Sequence, residues 1–119
     1  MINYSTDENY NQTLAEIKKL FTNLKTSQDI PICIANIGNF DKNLFLPILQ
    51  NIFLECLNPK GKFDNATIAI FKVNFNQNAI IKCLPLIEKA YTMQMSNVNF
   101  SYILDNLLFN LLKEKFLCK

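Results

Sequence analysis

Apolar residues recur along this chain at steps of three and four, the spacing that lines one face of an α helix. Tyr10, Leu14, Ile17, Phe21 and Leu24 form the first such stripe, and Ser5 followed by Glu8 has the spacing of a capping box at its start. The stretch TSQD (26–29) ends that helix and opens the next, with Asp29 as N-cap and Pro31 in the first turn, where its missing donor costs nothing. This short second helix buries Ile30, Cys33, Ile34 and Ile37 and stops at Gly38 and Asn39. A third begins after Asp41 or Asn43, carries Phe45, Ile48, Leu49, Ile52, Phe53, Cys56 and Leu57 on one broad face, and ends at NPKG (58–61). Pro47 belongs in or just past its first turn, because deeper in the helix it would kink it.

NATIAIFKVNF (65–75) carries two patterns at once. Its β-branched residues, with partial alternation at Ile68, Ile70, Val73 and Phe75, read as a strand by propensity, yet no other segment offers it a pairing partner. A short helix capped by Asp64 or Asn65 is therefore expected. Helix five spans about 76–95 with Ile80, Leu84, Ile87 and Tyr91 on its stripe, and Pro85 predicts a kink or break near Leu84. Asn97 or Asn99 then caps the last helix. Phe100, Ile103, Leu104, Leu107, Leu108, Leu111 and Leu112 make a stripe wide enough for the centre of a bundle, while Ser101, Asp105, Asn106 and Asn110 form an outer face rich in amides rather than charge.

The 119 residues suit one core, half of them are hydrophobic and 18% are charged, which is the composition of a globular domain. Two glycines are too few for a turn-rich β sandwich or barrel. The fold class follows as all-α, a single bundle of about five to six helices. A net charge of +2 implies no electrostatic partner, and all twelve cations are scattered lysines, so the arginine fork that reads guanine and clamps phosphate is missing. Neither nucleic-acid contact nor a membrane span is expected, since no apolar run approaches the roughly eighteen residues a span requires.

Cys33, Cys56, Cys83 and Cys118 are far apart, and the chain has no histidine, so no metal site is suggested. Three of the four lie in apolar runs, where a reduced, buried thiol is expected, as in the cytoplasm. A cysteine nucleophile would lack its usual base. Asp7, Glu8, Glu16, Asp41, Glu55, Asp64, Glu88, Asp105 and Glu114 all fall where capping or solvation is expected. No catalytic residue and no cofactor is therefore assigned.

LPLIEKAYTMQMSNVNFSYILDNLLFNLL (84–112) resembles the end of the delta prime subunit of the bacterial DNA polymerase III clamp loader. In that family a helix runs into an Asn-x-Asn-Phe cap and then into a leucine-rich helix with an acidic-Asn-Leu-Leu core. Asn97, Asn99 and Phe100 match the cap, and Asp105, Asn106, Leu107 and Leu108 match the core. Upstream, where the family has Arg-Asp-Leu-Leu before a lysine-bearing loop, this chain has Leu54, Glu55, Cys56 and Leu57, so the basic residue is missing. The resemblance spans residues 10 to 115, with its specific matches in the last thirty.

The resemblance implies a noncatalytic helical collar domain that packs beside the equivalent domains of the gamma/tau and delta subunits and holds the loader together. It also implies that residues 1–119 are the C-terminal part of a longer chain, because the family's ATPase module precedes the collar and no Gly-x-x-x-x-Gly-Lys loop occurs here. Gamma/tau shares the architecture but usually continues past the last collar helix, so a natural end at Lys119 would favour delta prime. Tyr102, Phe109 and Phe116 lie off the leucine stripe and are the expected interface anchors, with Asp105 and Asn106 beside them. In a monomer the same rings would pack under neighbouring loops. The rival function is a small helical adaptor or regulatory domain that takes a partner helix into an apolar groove.

Overall fold

The computed structural model describes residues 4–117, with side chains from Glu8 to Leu117. The stripes become six helices: α1 (Tyr4–Asn23), α2 (Ile30–Ala35), α3 (Lys42–Leu57), α4 (Asn65–Asn74), α5 (Gln77–Met95) and α6 (Phe100–Leu117). A 3-10 turn at Ser27–Asp29 leads into α2, and no strand occurs among the described residues. The architecture is all-α. The side chain of Ser5, the expected first cap, and the whole of Cys118 lie outside the described residues.

Helix α5 packs on α3 and α6, α1 covers α3 and α4, and α2 leans on α6. One apolar cluster joins them, including all seven residues of the predicted α6 stripe. Two groups of rings sit within it. Phe21, Phe53, Phe71 and Phe75 bring α1, α3 and the C-terminal part of α4 together, with ring centres 4.8–6.3 Å apart. Phe40, Phe45 and Phe100 join the loop before α3 to the start of α6, at 5.2–5.7 Å. Cys33, Cys56 and Cys83 are buried, and burial raises the pKa of Cys33 and Cys56.

Residues 65–74 are helical despite their β propensity, because a helix satisfies its own backbone while a lone strand does not. The Asp64 carboxylate accepts from the Thr67 N–H at 2.8 Å and caps the helix. Its apparent alternation is distributed around the helix: Thr67 and Phe71 face the core, whereas Val73 is 81% exposed.

Pro85 does not divide α5, which runs unbroken from Gln77 to Met95. The bond it deletes would have ended on the carbonyl of Ile81, and both residues lie on the exposed side, where water can take over the freed acceptor. The α5 stripe also differs from expectation at its end. Ala90 is buried there and Tyr91 is exposed, because the buried face is rotated toward Ala79, Cys83 and Ala90 and leaves Tyr91 at its edge.

Several polar residues have jobs other than those read from the sequence. Asp29 stands at the N-cap position of α2 but makes no side-chain cap bond to it. Its carboxylate reaches back to accept from the Thr26 N–H (2.9 Å) and the Lys25 N–H (3.0 Å), which boxes the start of the 3-10 turn, and these bonds lower its pKa. Gly38 allows a close approach: its N–H donates to Glu16 Oε1 at 2.7 Å, and an added Cβ would meet Glu16 Oε2 at 2.9 Å. That bond holds the Glu16 carboxyl below its usual range, burial opposes it, and a 2.9 Å ion pair with Lys19 adds to it. Lys19 Nζ in turn donates to the Asn36 carbonyl at 3.0 Å. Thr13 is fully buried, donates to the Asn9 carbonyl (2.7 Å) and accepts from the Asp41 N–H (3.0 Å), fastening the start of α3 to α1.

Glu55 is buried rather than solvated, and its Oε2 accepts from the Lys62 N–H at 3.0 Å. Burial pushes its carboxyl up, but the backbone donors of Lys60, Lys62, Gly61 and Phe63 outweigh burial and hold it low. Gly61, at φ +77°, bends the chain around it.

Asn97 and Asn99 divide the two tasks that the Asn-x-Asn-Phe stretch must perform. Asn97 adopts φ +63°, its N–H donates to the Gln94 carbonyl and that of Val98 to Met93, so it terminates α5 in a Schellman turn. Asn99 Oδ1 accepts from Ser101 N (2.9 Å) and Tyr102 N (3.3 Å) and starts α6. Asn99→Ala is expected to lower stability by about 1 kcal/mol while Asn99→Ser stays near wild type, as read from urea unfolding midpoints. Equal midpoints for the two variants would remove the cap from the account.

Candidate docking face on the last helix

The width of the leucine stripe determines what α6 can offer outward. Seven buried side chains take up more than half of its circumference, and Ser101, Tyr102, Asp105, Phe109, Lys113, Phe116 and Leu117 remain exposed. At about 100° per residue these fall on one side centred on Phe109. Tyr102 and Phe116 lie one heptad to either side, where a helix drifts only about 20°. The three rings thus form a single ridge, roughly 21 Å long at the helical rise. They are 59%, 53% and 45% exposed, so none has been folded under a loop.

A second element makes this ridge a groove. Ser27, Ile30 and Pro31, at the entry to α2, stand beside Tyr102, Asp105, Asn106 and Phe109 and enclose a cleft of about 480 Å³. Four of the five residues expected at the interface therefore line one cleft. Phe116 lies further along the ridge. Lys115 Nζ stands 5.6 Å from the Phe116 ring centre and donates to Asn74 Oδ1 at 3.4 Å, and burial lowers its pKa, assisted by Lys25.

The amides of the outer face split. Asp105 is exposed, while Asn106 and Asn110 are half-buried and bonded to one another, Nδ2 of Asn110 to Oδ1 of Asn106, at 2.8 Å. They occupy the seam between α5 and α6 along with Leu86 and Lys89. The wall from α2 was not legible in the sequence, where Ile30 and Pro31 read only as a core residue and a helix starter. Its one signal is a proline at an exposed first turn.

Among the described residues no group of three His, Cys, Asp or Glu could hold a metal ion, and no helix is long and apolar enough to cross a membrane. Comparison with protein-family models, with curated proteins and with solved structures finds no match for this chain.

Proposed function

We propose that this chain is a noncatalytic docking module that holds subunits of a larger assembly together, and that the assembly is a DNA polymerase III clamp loader. The observation that carries the reading is the Tyr102–Phe109–Phe116 ridge, three large rings held on a helix whose other side is fully committed to the core. Rings of this size are the usual anchors of interfaces, because they exclude much water at little cost in side-chain entropy. The collar resemblance supplies the neighbours, the gamma/tau and delta subunits. In this reading Asn97 and Asn99 set the direction of the docking helix, Leu107 and Leu108 fix it to the core, and Asp105 and Asn106 border the rings.

The groove between α2 and α6 supports a second reading, an adaptor that accepts one helix of an unrelated protein. Light scattering after size exclusion, on the chain alone and mixed with gamma/tau and delta subunits, separates the two. The loader reading expects a joint peak that Tyr102→Ala with Phe109→Ala abolishes. Independent elution of the wild-type chain from both subunits would leave only the adaptor.

A further inference from the structure

We infer that the α6 ridge is also self-complementary and that two copies of this chain pair through it, antiparallel, about a two-fold axis at Phe109. This rests on the reading of the ridge as a docking face, and it names a second copy as an occupant.

The argument starts from spacing. Tyr102 and Phe116 stand seven residues before and after Phe109, and Asp105 and Lys113 stand four before and four after. All five are exposed on the same side of one helix. When a second α6 lies antiparallel with Phe109 against Phe109, every level along the seam matches. Tyr102 meets Phe116 of the second copy, about 10 Å from the axis, and Asp105 comes level with Lys113 of the second copy, about 6 Å from it. A parallel pair in register would instead set Asp105 beside Asp105 and Lys113 beside Lys113. Charge therefore selects the antiparallel arrangement.

Shape and area agree with a second copy. An isologous two-fold pair is the commonest way identical chains associate, and it requires one patch to match itself reversed, as this one does. In that arrangement the cleft between α2 and Tyr102 lies opposite Phe116 of the second copy, and symmetry repeats the contact at the other end. Three rings, each about half exposed, offer roughly 300 Å² per copy. With Asp105, Lys113 and the α2 wall added, the pair reaches only the low end of specific interfaces, near about 1,200 Å² in total. The dimer should therefore be weak and grow with concentration, and it covers the face that a loader subunit would need.

The test uses charge exchange on the purified chain, followed by sedimentation equilibrium from low micromolar to near-millimolar concentration. The wild type is expected to rise from monomer mass towards twice that mass. Asp105→Lys carries lysine at both positions and Lys113→Asp carries aspartate at both, so each repels itself, and the dimer dissociation constant of each should rise about tenfold. Mixed in equal amounts, the two variants regain both attractive pairings and should associate as tightly as the wild type. Both positions are exposed, and unchanged far-ultraviolet circular dichroism confirms that the variants fold. A wild type that stays monomeric throughout, or a mixture no tighter than its components, overturns the pairing. If the mixture pairs but the loader subunits never co-elute with the wild type, the self-pairing stands and the loader assignment falls. If the loader subunits co-elute and the mixture fails, the reverse holds.

Discussion

Phe53→Ala is expected to lower the unfolding free energy by about 4 kcal/mol, the middle of the range for truncating a buried aromatic ring. Phe53 is fully buried, and its ring lies 5.6 Å from Phe71 and 5.5 Å from Phe75, both of which also touch Phe21. Truncation would open a cavity bounded by α1, α3 and α4. None of these helices can close it alone, because each is held on its other contacts. For a domain whose whole stability is on the order of 5–15 kcal/mol, that loss is a large share. Phe53→Leu keeps most of the volume and should cost about half as much. Equilibrium unfolding in urea measures both, and a loss below about 2 kcal/mol for the alanine variant would mean that the ring cluster is not the centre of the core.

Thr13→Val is expected to cost about 2 kcal/mol although the two side chains have the same shape. The hydroxyl of Thr13 is the acceptor for the Asp41 N–H, and it lies at a site without exposure. Valine would fill the space and leave that donor unsatisfied at the point where α3 begins. Thr13→Ser keeps the hydroxyl, loses a methyl group, and should cost about 1 kcal/mol. The ranking is the check. Serine less stable than valine in urea unfolding would show that the methyl contact, not the hydrogen bond, holds the start of α3.

The helices were legible where one face is buried and the other wet, since that contrast writes a period into the chain. All seven core positions of α6 followed from it, whereas the caps at Asp41 and Asp64 were each one of two candidates that the sequence left open. Departures occurred where a partner distant in sequence decides the matter. Glu55 read as a capping or solvated carboxylate, and its burial comes from the loop after α3, whose backbone donors surround it. Gly38 read as a helix stop, and its role is set by Glu16, twenty-two residues away. Pro85 read as a kink or a break, and α5 is unbroken there because the lost bond lies on the exposed side. The ring ridge was legible because Tyr102, Phe109 and Phe116 fall outside the leucine stripe. The cleft beside it was not, because only the docking of α2 on α6 creates it.

The double asparagine between α5 and α6 has a consequence for how the chain finds its fold. With Asn97 ending one helix and Asn99 starting the next, only Ser96–Asn99 separates two helices that pack extensively on one another. Closing so short a loop costs little chain entropy, whereas the α1–α3 and α1–α4 contacts must bring together segments tens of residues apart. The hairpin is therefore the unit whose native contacts are most local. The docking ridge belongs to the part of the chain that needs the least of the remainder in order to take shape.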